Sequence, residues 1–434
     1  MSDRPGHGIG LIILPMTNTR PDTLVNRLAS PLVVVLCVAM LTSTSLTNIC
    51  MLLLVVLSLW AWWRFQWPAG EWALVKPLFV LISLFCLWDL SANLLGGNDL
   101  SDSLQALRHV RKFFFVLVLW PLFASPRVAR HALLALGATV SLLAAANLVW
   151  TLVLQRSDMM TSFMPNLHGQ ILVGMVLLLI HAALVRRYRP GLLGALALLL
   201  LASLFFAASR RTGYVLLAAG GVLMLFLLWR RQTGRGRLVY LLSGLAVLMA
   251  LLWLAALSPT VQKRVALFFT EYQQFFQMPP QQRSQLETSV GLRLQYFVSS
   301  WSIVQDHFWI GVGSLNFKPL FWEVNRDMGA TNPVIFAPNP HNEYLYMWAT
   351  KGLVGLLLYL GIFVQACRLA AQRDQLWQRH GLWLFVCLFL TSILFNSMSI
   401  DMVEGHFMML VLLIFLAPAQ LWPAAENAKE TASC

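Results

Sequence analysis

Along most of this chain apolar residues neither alternate nor recur on one helical face; they continue for about 20 residues at a time between short polar breaks. A continuous apolar run of that length is what a helix needs to cross the hydrocarbon core of a bilayer. The pattern predicts spans near 31–48, 50–66, 72–95, 113–125, 130–154, 168–185, 191–208, 213–229, 238–257, 344–367, 382–399 and 404–421. That is about 12 transmembrane helices, the fourth being the shortest, so the expected fold class is an all-α polytopic membrane protein.

One interval breaks the rhythm. Ser258 to Asn342, about 85 residues, separates the ninth and tenth expected spans. It divides the chain into spans one to nine (1–257), a large loop (258–343), and spans ten to twelve with a tail (344–434). Long segments inside compact proteins usually carry function. Within the loop, Val261 to Phe276 sets aromatics at helical spacing and reads as an amphipathic helix lying on the outer membrane surface or over a cavity, ended by Pro279 and Pro280. A second helix is expected over about Val290 to His307, after which Gly311, Gly313, Pro319, Pro333, Pro338 and Pro340 read as turns. Asn98 to Lys112 reads as a short surface helix leading into the fourth span.

Composition agrees with the pattern: of 434 residues, 58% are hydrophobic and 11% charged, far from the balance of a water-soluble domain. The net charge of +13 would ordinarily raise the question of a nucleic-acid partner. In a membrane protein it raises the question of sidedness. With a cytoplasmic N-terminus, the inside segments collect Arg64, Lys76, Arg127, Arg130, the cluster Arg186 to Arg189, the cluster Arg230 to Arg237, and Arg368, Arg373 and Arg379. The short outside turns hold far fewer, so both termini are expected inside, the long loop outside, and no nucleic acid is implied. The first thirty residues lack an apolar core followed by a small-residue cleavage site. Cys37, Cys50, Cys86, Cys367, Cys387 and Cys434 all avoid the long loop, which argues against disulfides or a zinc site there.

Charge on the outer side of such a protein asks for a reason. Arg210 and Arg211 sit at the turn before the eighth span, against the positive-inside bias; they are either snorkelling anchors or an anion site. Arg293 stands among apolar and aromatic residues in GLRLQYF and is either a solvated surface group or a second guanidinium for the same anion. His341, in PNPHNEY, is a base suited to neutral pH, with Asn342 and Glu343 beside it to fix its tautomer, or with Glu343 as the base instead. His168, His307 and His406 show no metal spacing with it. Asp99 with Asp102 and Asp401 with Glu404 could hold a cation only weakly, so no metal and no cofactor is expected.

Three segments taken together resemble one family: SRRTGYVLLAAGG (209–221), GLRLQYFVSSWSIVQDHFWIGVGSLNF (291–317) and PHNEYLYMWATKGLVGLLLYL (340–360), with MPNLHGQ (164–170) similar to a further family segment. They are similar to the O-antigen ligase and polymerase superfamily; the first 150 residues match it in hydropathy alone. The resemblance implies an enzyme of the bacterial inner membrane whose large periplasmic loop helps cap the active site. It implies a metal-independent, inverting glycosyltransferase whose donor is O-antigen on undecaprenyl diphosphate and whose acceptor is lipid A-core, as in lipopolysaccharide biosynthesis. It further implies that Arg210 and Arg293 hold the diphosphate, that His341 is the base, and that Asn342, Glu343 and His168 support them. The adjacent Arg211 leaves open which of the pair faces phosphate. Polymerases and protein O-oligosaccharyltransferases share the donor; the lack of an appended C-terminal domain and the position of the loop favour the ligase. A transporter of lipid-linked glycan is the reading from another class, but such proteins place charge at mid-span and carry internal repeats.

Overall fold

The structure, a computed structural model, describes residues 23–64, 69–153, 167–186, 189–208, 211–257, 259–286, 288–330, 339–373 and 375–417. These residues form helices and turns, with no strand among them. In chain order the helices are α1 (Thr23–Thr42), α2 (Thr44–Arg64), α3 (Ala69–Leu95), α4 (Leu100–Ala106), α5 (Arg111–Phe123) and α6 (Pro126–Leu152). They continue with α7 (Leu167–Arg186), α8 (Pro190–Ala202), α9 (Arg211–Arg231), α10 (Arg235–Leu257), α11 (Pro259–Gln277) and α12 (Ser289–Asp306). The last four are α13 (Phe317–Asp327), α14 (Glu343–Ala371), α15 (Leu376–Ser392) and α16 (Met402–Leu416).

Each of the 12 expected spans meets a helix, and the protein is a multi-pass membrane protein. Among the described residues, α1, α2, α3, α6, α9 and α14 contain the 6 stretches that are both long and apolar enough to cross a membrane alone, and the apolar parts of α7, α8 and α16 are shorter. Three boundaries differ from the hydropathy reading. The first turn falls at Ser43 rather than near 49, because the Ser43 hydroxyl accepts the Leu46 amide at 3.3 Å and caps α2 at the start of the polar stretch. Pro319 does not break the loop: it lies in the first turn of α13, where a missing amide hydrogen costs nothing. The span expected over 382–399 ends at Ser392, and residues 393–401 form a run of turns instead.

The long loop is inserted into a break in α14. Gly352 adopts φ 65°, ψ −176° inside that helix, a left-handed conformation that interrupts its hydrogen-bond ladder. The groups so released pair with the loop segment at 308–313. Val312 and Gly313 donate to the Ala349 and Thr350 carbonyls, each at 2.9 Å, and Leu353 donates to the Phe308 carbonyl at 2.8 Å. Gly311 (φ +78°) and Gly352 face each other's backbones so closely that a Cβ on either would overlap the partner segment. Irregular backbone is tolerated at membrane depth when protein groups satisfy it in this way.

Beside the break, Lys351 meets Asp89 of α3 at 2.7 Å, and neither side chain is exposed to solvent. Ser314 joins them, accepting from the Lys351 ammonium at 2.8 Å and donating to Asp89 at 2.9 Å. The next residues continue along the end of α3: Leu315 donates to Asn93 Oδ1 at 3.1 Å and Asn316 to the Gly96 carbonyl at 2.8 Å. A charge stranded by loss of its partner has no water to turn to, so breaking such a pair costs about 3–5 kcal/mol, whereas an apolar replacement of both is far milder. Lys351→Met should therefore lower the unfolding midpoint in detergent sharply, and adding Asp89→Leu should restore part of the loss, as measured by thermal unfolding of purified variants.

Candidate active site where the loop meets the helix ends

His341 occupies the tight turn that starts α14. Its backbone φ is +51°, unusual for a residue with a Cβ, and it is held there because its amide donates to Asn339 Oδ1 at 2.7 Å. Asn342 is the N-cap of α14, its Oδ1 accepting from the Leu345 amide at 3.0 Å, while its Nδ2 donates to the Leu394 carbonyl at 3.2 Å. Strain at one residue between two such fixed neighbours is common at functional sites.

The turns at 393–401 clamp this corner from the other side. The Glu343 amide donates to the Ile393 carbonyl at 2.8 Å, Tyr344 Oη to the Leu390 carbonyl at 2.8 Å, and Ser397 Oγ to Asn339 Oδ1 at 2.8 Å. Asn396 hydrogen-bonds the His341 side chain. The Glu343 carboxylate points inward and is fully buried, accepting from Tyr359 Oη at 2.7 Å, from the Ser399 amide at 3.0 Å and from the Ser399 hydroxyl. That geometry makes Glu343 a tie between α14 and the clamp, and removes it as an alternative base. Lys112, buried at the start of α5, donates to the Ile400 carbonyl at 2.6 Å and completes the clamp. Burial raises Asp401 to about 6, with Lys112 opposing the shift. Asp99 accepts from the Asp102 amide at 2.8 Å and caps α4, a structural use of a carboxylate considered as a cation ligand.

Arg293 reaches the corner through α12. Thr288 caps that helix by accepting the Gly291 amide at 3.1 Å, and Glu271 of α11 accepts the Val290 amide at 3.2 Å. Arg293 is exposed and one helical turn before Tyr296, whose ring centre lies 5.8 Å from that of His341. Rings then continue inward: Tyr296 to Phe321 at 5.8 Å, Phe321 to Phe317 at 5.2 Å, and Phe317 to Tyr346 of α14 at 5.1 Å. This stack packs α12 and α13 on α14 and brings Arg293 within electrostatic range of His341. Burial lowers the His341 pKa below 6.5; the Asn396 bond works against that shift and Arg293 adds to it.

Arg210 lies outside the described residues, as do the side chains of Arg211 and His168. Their backbone neighbourhood is defined. Arg211 opens α9 and His168 lies in the first turn of α7, and the two helices pack closely enough there that a Cβ at Gly213 would come 3.3 Å from Gly169 Cα. Between these helices and the clamp, Gln170 of α7, Leu216 of α9, Ser392 and Met398 line a void of about 10 Å³ together with apolar side chains such as Phe385 and Phe407. Sequence reading missed Asn396 and the clamp, because FNSMSI lies within an apolar stretch. The Asn, Ser and Ser at positions 396, 397 and 399 were the available signal.

A family profile described as O-antigen ligase matches residues 195–360, from α8 through the loop and across the break in α14. No curated protein sequence matches the chain.

If Asn396 and Arg293 set the protonation of His341 as described, the variants move it in opposite directions. Asn396→Ala removes a bond that favours the charged ring and should lower the His341 pKa; Arg293→Gln removes a repelling charge and should raise it. The pH dependence of carbethoxylation at His341, read by peptide mass spectrometry, measures both.

Proposed function

We propose, from the match of residues 195–360 to a family profile described as O-antigen ligase, that this protein transfers O-antigen polysaccharide from undecaprenyl diphosphate to a sugar hydroxyl of lipid A-core, at the periplasmic face of the bacterial inner membrane. The observation that carries the reading is the corner itself: a half-buried, strained histidine whose pKa burial pushes below 6.5, with an exposed arginine beside it, at the ends of apolar helices. A neutral imidazole accepts the proton of an acceptor hydroxyl as that oxygen attacks the anomeric carbon. The bond from that carbon to the diphosphate oxygen breaks, and undecaprenyl diphosphate departs with the bonding pair.

Charge then grows on the leaving diphosphate, which calls for fixed positive groups at the opposite side of the reacting carbon. Arg293 is one of these, and Arg210 with Arg211 supplies the rest from the membrane domain. The N-termini of α7 and α9, packed together where Arg211 begins its helix, add the positive ends of two helix dipoles. Asn396 accepts one ring N–H of His341, which leaves the other nitrogen free for the acceptor. The activated donor supplies the driving force, so the reaction needs no nucleotide. The lipid tails of both substrates stay in the membrane beside the helices.

In proteoliposomes containing lipid-linked O-antigen and lipid A-core, His341→Ala should lower kcat by about 10²–10⁴. Arg293→Ala should weaken donor binding and slow transfer together. Wild-type transfer should fall as pH drops through a value below 6.5, where His341 takes up a proton. Offering a second lipid-linked glycan or a serine-containing protein as acceptor tests the choice of substrate. Transfer to either in preference to lipid A-core would make the enzyme a polymerase or a protein glycosyltransferase, and near wild-type ligation by His341→Ala would remove the base.

A further inference from the structure

Far from this corner, α9 and α10 diverge and leave an apolar groove of about 520 Å³ between them. Leu217, Gly221, Phe226 and Trp229 line it from α9, with Tyr240 and Gly244 from α10. Gly221 and its neighbour Gly220 are used differently. A Cβ at Gly220 would come 2.8 Å from Leu388 Cδ2, so that glycine lets α9 approach α15. A Cβ at Gly221 would meet nothing within 4 Å. Glycine weakens a helix interior, and here no described residue uses the space it leaves.

The end of the groove nearest the α9–α10 turn is strongly basic. Arg230 and Arg231 finish α9, Arg235 and Arg237 begin α10, all four are exposed, and no Asp or Glu occurs between residues 210 and 257. Two of these arginines lean over the aromatic walls. The Arg237 guanidinium lies 5.5 Å from the Trp229 ring centre and that of Arg230 lies 5.8 Å from Phe226. From Trp229 back to Leu217 the helix rises about 18 Å, close to the hydrocarbon depth of one leaflet, about 15 Å. A charged mouth over an apolar slot one leaflet deep has the outline of a phospholipid.

We propose that this groove is a binding site for an anionic phospholipid of the leaflet that contains the α9–α10 turn. Its phosphate sits between Arg230 and Arg237, and one acyl chain lies along Gly221. The donor of the proposed reaction has its diphosphate at the opposite end of α9, so this site is independent of that reading.

Native mass spectrometry of the full-length protein, titrated with dioleoyl-phosphatidylglycerol or dioleoyl-phosphatidylcholine, tests the assignment. The wild-type protein should retain the anionic lipid about tenfold better, a preference of the size that one or two surface arginines provide. Gly221→Leu, which fills the slot, should abolish retention of phosphatidylglycerol, and Arg230→Gln with Arg237→Gln should remove the preference for it. The arginine pair decides the matter if Gly221→Leu fails to fold. Equal retention of the two lipids by the wild type overturns the proposal, as does unchanged retention of phosphatidylglycerol in either folded variant. Displacement of phosphatidylglycerol by equimolar undecaprenyl diphosphate assigns the groove to the donor tail and also overturns it.

Discussion

A lysine and an aspartate buried together in a membrane protein constrain everything attached to them, because neither charge can be left alone in apolar surroundings. Lys351 and Asp89 form such a pair, and the third member of the cluster, Ser314, belongs to the long loop. The adjacent break in α14 at Gly352 exposes backbone groups that the loop segment 308–313 satisfies. Charge pairing and backbone pairing therefore impose the same register. The loop is fixed near its middle, with α12 and Arg293 before that point and α13 and His341 after it.

From that anchor the site follows. The ring stack from Tyr346 to Tyr296 sets α12 against the start of α14, and the turns at 393–401 close the same corner from the far side. His341 is held in a left-handed conformation by bonds to its neighbours rather than by its own preference. In the proposed reaction, a histidine so restrained would need little reorganisation when a hydroxyl arrives. The groove between α9 and α10 is lined by the part of α9 that follows Leu217, away from the end at Arg211, and the lipid site proposed there would be a second, separate use of the same helix.

Membrane spans were legible in the sequence because hydropathy over 20 residues is a strong, local signal. Arg293 and His341 were legible as candidates too, since an arginine among apolar residues of the long loop and a histidine just before a span ask for a physical reason. What joins them was not. KGLVG at 351–355 reads as uninterrupted helix, and only its pairing with 308–313 explains a glycine at 352 with positive φ. FNSMSI reads as the end of a span, yet it supplies Asn396 and Ser397 to the corner. Glu343, two residues after the histidine in sequence, faces Tyr359 and Ser399 instead, because residues two apart at a helix start point in different directions.

The central claim is that the loop is locked into α14 rather than resting on it. Hydrogen–deuterium exchange of the protein in nanodiscs measures this directly. Amides of Val312, Gly313 and Leu353 should exchange as slowly as those in the middle of α14. Exchange of these amides at the rate of an unstructured loop would contradict the anchoring, and with it the explanation of how Arg293 and His341 come to share one site.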